Sequence, residues 1–355
     1  MTIPVFDGHN DFLLRLLRAP ERREALWLSD NSGTDAPGHL DLPRMRAGGF
    51  AGGLFAIYVP SPAGRVDMDA LMEVAPYDLP LPEALPLEPA QTVALAMAGH
   101  LLWMERAAPG DFAIVRGADA LDAAIDGGRI AAVMHMEGAE AIGPDLDALH
   151  AWHAMGLRSL GPVWSRPTAF GHGVPFRFPS TGDTGPGLTP AGEALVRECN
   201  ALGVLIDLSH ITEAGFWDVA RLSDAPLVAS HSNAHAVTPS SRNLTDRQLD
   251  AVAERGGLVG LNFATCFLRP DGLRGADMGW DPVLRHLDHL IGRLGEDGVG
   301  FGSDFDGATV PAPLGDVAGL PRLIEALRAH GYDDALLARL CHGNWRRVLR
   351  ATWGG

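Results

Sequence analysis

Six histidines and carboxylates of this chain, of types able to bind a metal ion or move a proton, share one kind of position. Each closes or follows a short apolar run: His9 and Asp11 in "VFDGHNDFLL", Glu137 in "VMHMEG", His210 in "IDLSH", His231 in "VASHS" and Asp304 in "GFGSDFDG". Singly, each has an ordinary explanation. A histidine after a strand is usually a hydrogen-bonded turn or core residue. Asp11 suits the cap of a helix starting near Phe12, and Asp304 with Asp306 suits a turn. Collected in one place, buried imidazoles and carboxylates need a compensating charge, and a divalent cation supplies it. Three imidazoles, two or three carboxylates and no thiolate suit zinc, with manganese or cobalt as substitutes. His9 and Asp11 are expected to hold one ion, His210 and His231 a second, and Glu137 to bridge them. Two ions roughly 3.5 Å apart would share a hydroxide and polarise a carbonyl. Asp304 then remains to carry a proton to a leaving amine.

These residues meet only if the fold brings their strand ends together. Short runs apolar on both faces and bounded by Gly or Pro read as buried parallel strands. They fall at 4–8, 53–59, 130–136, 157–163, 203–209, 226–230, 257–263 and 299–303. Helical patterns separate them, among them 91–107, 145–156, 189–203, 246–257 and 281–295, with two closing helices around 318–330 and 333–349. In the third of these Thr189 is the cap and Pro190 the first helical residue. Alternating strands and helices over this length predict one (β/α)8 TIM-barrel domain of metal-dependent hydrolase type spanning 1–355. A doubly wound open sheet competes, but no GxGxxG follows the first strand. In a barrel the carboxyl ends of the strands share one mouth. Gly8 is expected to turn the backbone there, with Asn10 pointing away. Two Pro- and Gly-rich excursions, at about 60–90 and 164–188, also follow strand ends and so border the mouth.

Composition removes several alternatives. A formal charge of −16 argues against nucleic acid. No apolar run is long enough to span a membrane, and no basic-then-apolar leader is present, so a cytoplasmic protein without a membrane partner is expected. Cys199, Cys266 and Cys341 are scattered, which fits neither a disulfide framework nor a thiolate zinc site. The chain has no lysine; all 28 basic residues are arginine. Schiff-base chemistry, pyridoxal phosphate anchoring and the phosphate-loop lysine are therefore excluded. So is a carbamylated lysine between two metals, which leaves that position to Glu137.

In chain order "DGHND", "MEGAEAI", "IDLSH", "SHSNAHAV", "SRNLTD" and "GSDFDG" resemble the membrane dipeptidase (renal dipeptidase) family, peptidase family M19, of the amidohydrolase-type superfamily. The similarity runs from the first strand to the closing "CHGNWRRVL". It implies a metallo-dipeptidase that cleaves the peptide bond of dipeptides, including those with a C-terminal D-residue. It also implies two Zn2+ per subunit, with His9, Asp11 and Glu137 on one and Glu137, His210 and His231 on the other. Asp304 would be the acid–base residue, Arg242 would grip the substrate carboxylate with its bidentate fork, and the subunits would form a homodimer.

One position departs from the family. A substrate-contacting histidine commonly follows the fourth strand; here Trp164 aligns with it, and His172, eight residues on, is the candidate substitute. Arg166 and Arg177 in the same loop are expected to favour an acidic substrate side chain. The terminus "RATWGG" has no apolar tail, so no membrane anchor is expected. The remaining histidines read as structural or surface residues, with His135 as a support behind Glu137. The same site acting on N-acyl amino acids or lactams is the nearest alternative. A deaminase or nuclease fits less well, and the complete ligand set argues against a non-catalytic binding protein.

Overall fold

The computed structural model describes residues 3–35, 37–62 and 68–354. Eight parallel strands form in the expected places: β1 (Val5–Asn10), β2 (Phe50–Tyr58), β3 (Ile130–Glu137), β4 (Leu157–Gly161), β5 (Leu205–Ile206), β6 (Val228–Ser232), β7 (Leu258–Asn262) and β8 (Val299–Gly302). They pair in the order β5-β4-β3-β2-β1-β8-β7-β6. A parallel bridge between Asp207 and Val228 joins the two free ends. The barrel is therefore nearly closed, and the doubly wound sheet is excluded.

The strand boundaries differ from expectation where the site is built. β1 continues through Asn10, so His9 lies inside the strand. β5 shrinks to two residues, because the chain leaves the ladder at Asp207 and reaches His210 with a left-handed backbone (φ 68°). A short strand not expected from the sequence, Phe112–Ile114, pairs with the start of β3 outside the ring.

Gly8 does not turn the chain, since it sits mid-strand in β1. Its value is close approach. A Cβ on Gly8, Gly260 or Gly302 would lie within 2.3 Å of the Ser230 carbonyl oxygen. Three neighbouring strands thus give up side chains so that β6 packs deep in the barrel. Below, Trp345 of the closing helix Asn344–Trp353 forms the floor, its indole N–H donating to Phe301 O (2.9 Å).

The two excursions meet. Tyr77–Asp78 pairs antiparallel with Arg177–Phe178, and Met72, Tyr77, Trp164, Phe176, Phe178 and Phe267 bury a separate apolar cluster there. Residues 63–67 of the first excursion lie outside the described residues. Among the described residues no helix is long and apolar enough to cross a membrane.

Candidate metal centre

The barrel brings the predicted residues together. Oε1 of Glu137, the last residue of β3, lies 3.1 Å from His210 Nε2, 3.5 Å from His231 Nε2 and 3.6 Å from His9 Nε2. His210 Nε2 and His231 Nε2 are 3.0 Å apart, and His9 Nε2 is 3.4 Å from Asp11 Oδ2. Asp304 closes the other side: single donor atoms of His9, Asp11 and Asp304 fall within 4.8 Å of one another. All these side chains are buried, apart from the half-buried Asp304.

Asp11 occupies the cap position of the helix Phe12–Arg18, yet its side chain makes no capping hydrogen bond. The capping explanation therefore fails, and the carboxylate turns toward His9. Asp304 does begin a turn, its carbonyl accepting from Gly307 N (3.1 Å) and Ala308 N (3.0 Å). Its side chain still faces the site. A Cβ on Gly307 would lie 2.1 Å from Asp11 Oδ2 and 2.6 Å from Asp304 Oδ1, so this glycine makes room for both carboxylates. His210, Asp304 and Asp306 all have positive φ (68°, 60° and 66°). Such backbone strain in residues other than glycine is held in place only by surrounding structure, and it concentrates at functional sites.

Electrostatics fit the same reading. Burial raises Glu137 well above the carboxylate range, with Asp11 and Asp304 adding to it against the opposing pull of His9. Burial also raises Asp304. His210 and His231 are held well below the usual imidazole value by burial, with Arg242 and His9 adding to it. They are therefore neutral and able to ligate. For His9, burial alone would depress the ring, but Glu137, Asp11 and Asp304 outweigh it and lift it to about 10. Both of its ring nitrogens lack a hydrogen-bond partner. A buried imidazole facing carboxylates it does not hydrogen-bond, beside two neutral imidazoles, is a donor set that fits divalent cations.

A layer beneath fixes the ring orientations. Ser165 Oγ is 2.8 Å from His210 Nδ1, and Ser230 Oγ is 2.8 Å from His231 Nδ1. Ser230 Oγ in turn donates to Asp207 Oδ2 (2.5 Å), whose Oδ1 accepts from Ser230 N (2.7 Å) and Ser209 N (3.0 Å). On the opposite side Asp7 accepts from Ser303 N (2.6 Å) and Ser303 Oγ (2.9 Å), tying β1 to β8. His135, expected behind Glu137, packs instead edge-on to His9 at 5.6 Å, with Nδ1 2.9 Å from Ser159 Oγ and Nε2 3.7 Å from Asp207 Oδ2. Asn10 points away, its amide donating to Leu54 O (3.3 Å).

A cavity of about 570 Å³ opens above the cluster, walled by Tyr58, Trp164, Phe176, Phe267, His39 and Asp306 among others. Trp164 thus lines it, 5.8 Å from the His210 ring. His172 does not: its ring approaches Gly187 O (3.3 Å) away from the cavity. Arg242 is buried behind the Phe267 wall, its guanidinium 5.4 Å from that ring, Nη2 donating to His231 O (3.1 Å) and Nε without a partner. The expected pull of Arg166 and Arg177 on an acidic substrate is not supported. Arg166 is fully buried with its Nε 3.1 Å from Glu140 Oε1, and Arg177 pairs with Asp78 on the outer ribbon.

Tyr58, Ser165, Ser230 and Asp207 were not singled out from the sequence, because they are ordinary residue types within strand or loop patterns. The one local signal was adjacency: Ser230 directly precedes His231, and Asp207 lies three residues before His210.

Comparison with known proteins agrees with this geometry. The sequence profile of the membrane dipeptidase family (peptidase family M19) matches residues 1–353. A dipeptidase AC structure described as a metallo peptidase of family M19 is 66% identical, with a TM-score of 0.97 and full coverage of both chains. A Rhodobacter sphaeroides metallo peptidase, liganded with a phosphinate mimic of the dipeptide L-Ala-D-Ala, is also 66% identical (TM-score 0.97), covering 99% of this chain and 100% of its own. A Klebsiella pneumoniae relative, "uncharacterized protein in pqqA 5'region", is 52% identical over 224 residues, covering 63% of this chain and 83% of its own. The match over nearly the whole length, with a metal-competent cluster at the barrel mouth, places the chain in the membrane dipeptidase family, peptidase family M19, as a metallo-dipeptidase.

Proposed function

We propose that this dipeptidase uses two zinc ions, His9, Asp11 and Glu137 holding one and Glu137, His210 and His231 the other. The observation that carries the reading is the single oxygen Glu137 Oε1, which faces three imidazole nitrogens at 3.1–3.6 Å. When bound, such a pair supplies Lewis acidity at a carbonyl and an acidified water. Asp304 takes the proton of the attacking water and delivers it to the leaving nitrogen. Asn262 Nδ2 donates to its Oδ2 (2.9 Å) and holds the carboxylate for that transfer. Burial raises its pKa, which matches a group that must both accept and release a proton. Arg242, with a buried and unpartnered Nε, is the anchor for the free carboxylate of the dipeptide. Trp164 contacts substrate as part of the cavity wall.

Substrates include dipeptides with a C-terminal D-residue. Support comes from the 66% identical Rhodobacter sphaeroides peptidase, whose ligand mimics L-Ala-D-Ala. The test is a panel of L,L and L,D dipeptides beside N-acetylated amino acids, with zinc stoichiometry measured on the same protein. Turnover of the dipeptides with about two zinc ions per chain is expected. Turnover confined to N-acyl amino acids, or full activity without a transition metal, overturns the reading.

A further inference from the structure

Helix Leu87–Ala107 is apolar on two sides. Its inner face, including Ala94, Met97, Leu101 and Met104, is buried against the barrel. Its outer face presents Glu88, Thr92, Leu95, Gly99, Leu102 and Arg106, all exposed. Leu95 and Leu102 leave 52% and 39% of their surface in solvent. A helix that is apolar all round is normally covered all round, and the described residues offer no cover for the outer face. The six outer residues are spaced four, three, four, three and four positions apart, the repeat of a coiled-coil seam. Such a seam faces one partner helix along its length, about 27 Å from Glu88 to Arg106.

The seam is complementary to itself when a second copy runs antiparallel. Leu95 then stands opposite Gly99, Thr92 opposite Leu102, and Glu88 opposite Arg106. An aliphatic knob meets a hole, and a carboxylate meets a guanidinium. Thr92 Oγ1 already donates to Glu88 O (3.1 Å), so its hydroxyl needs nothing from the partner. Gly99 has no packing use within the chain: a Cβ there would meet no atom within 4 Å. Glycine in mid-helix is less stable than alanine, and the hole it leaves opens outward, where the partner's Leu95 fits. Charge favours the same strip. At a formal charge of −16 two copies repel over most of their surface. The seam is neutral, and among the described residues Glu88 and Arg106 have no ion-pair partner of their own. Glu88 lies in the first turn and Arg106 in the last, so antiparallel pairing also sets opposite helix-dipole ends side by side.

We propose that the outer face of helix Leu87–Ala107 is a two-fold interface with a second copy of this chain, Leu95 of each copy seated over Gly99 of the other. The two-fold makes every contact occur twice. One helix pair is at the small end of stable interfaces, so the dimer dissociates on dilution. None of its residues belongs to the metal centre, and the inference is independent of the zinc assignment.

The experiment is sedimentation velocity on the full-length, metal-loaded protein from about 1 to about 100 μM. It compares wild type with Leu95→Glu, Gly99→Leu, Glu88→Arg, Arg106→Glu and the double variant Glu88→Arg/Arg106→Glu, with dipeptide hydrolysis at the lowest concentration as the check on folding. Wild type should pass from monomer to dimer. Leu95→Glu and Gly99→Leu should move the midpoint at least about tenfold higher, with kcat unchanged. Each single charge change sets like charges opposite and should weaken the dimer. The double variant should restore it, because each copy supplies both residues. Wild type that stays monomeric throughout overturns the inference. So does a dimer whose midpoint moves less than about twofold in Leu95→Glu, a double variant no tighter than the single ones, or a loss of association that comes with lost kcat.

Discussion

The relay Asp207–Ser230–His231 gives a perturbation whose size follows from distances. Replacing Ser230 by Ala removes the hydroxyl 2.8 Å from His231 Nδ1 and the donor 2.5 Å from Asp207 Oδ2. Two effects should separate. For the fold, Asp207 keeps two backbone donors at 2.7 and 3.0 Å, so the lost hydrogen bond costs about 1–2 kcal/mol. For the site, His231 loses the partner that fixes its ring and tautomer while Nε2 faces Glu137. Disturbing such an orienting group costs roughly 10–100-fold in metal affinity, about 1.4–2.7 kcal/mol. That loss should fall on the ion shared by His210 and His231, while the His9–Asp11 ion is retained. Zinc release into a chromogenic chelator, followed to equilibrium, should resolve one weakened and one unchanged site. Melting of the zinc-free protein should drop by only a few degrees. Equal weakening of both sites, or unchanged affinity at both, would refute the assignment of His231 as a ligand oriented through Ser230.

Glu137→Gln should lose bound zinc and activity together, whereas Asp304→Asn should keep its zinc and lose about 10²–10⁴ in kcat; zinc analysis beside steady-state rates separates the two. Arg242→Lys replaces a planar fork by a point charge, so KM for dipeptides should rise about tenfold. The wild-type preference for a dipeptide over its C-terminal amide should collapse in this variant. If that preference persists, Arg242 does not read the carboxylate. His286 offers a pH test away from the cluster. Burial lowers it to about 3, and its Nδ1 accepts from Ala234 N–H (3.1 Å) at the start of the segment that carries Arg242. The unfolded chain protonates this histidine near the ordinary 6.5 and the folded chain resists to about 3. Its stabilisation is therefore complete above pH 6.5 and fades as pH falls, by up to about 5 kcal/mol at the limit. Denaturant midpoints of wild type and His286→Gln should converge between pH 6.5 and 4. A constant gap would contradict this.

The clustering of these candidate residues was legible because they are ionisable side chains at the carboxyl ends of apolar runs, and a parallel barrel converts that one-dimensional position into proximity. What orients them was not. Tyr58 stands beside Glu137 through strand register between residues 79 apart, which no local spacing reveals. Arg166 lies in a Pro- and Gly-rich stretch and reads from its charge as a contact for an acidic substrate side chain, yet it is fully buried, and Glu140 supplies the charge that lets it stay there. His172 was attractive for its distance along the chain from Trp164; loop length measures reach but not direction, and its ring turns toward Gly187.

Asp11 shows where local reasoning stops. An aspartate directly before a helix has two competing uses, capping the first-turn N–H groups or facing inward as a ligand, and its immediate neighbours fit both. Here the cap geometry is occupied without a capping hydrogen bond, and the oxygen lies 3.4 Å from His9 Nε2. What tips the balance comes from residue 307, nearly three hundred positions away, whose missing side chain leaves the space that Asp11 Oδ2 and Asp304 Oδ1 share. Gly307→Ala should therefore displace these two carboxylates before it disturbs the barrel, lowering zinc affinity and kcat while the strands keep their melting temperature. A variant with unaltered zinc binding would mean that the carboxylates move aside freely, and that the glycine is not what keeps Asp11 in the site.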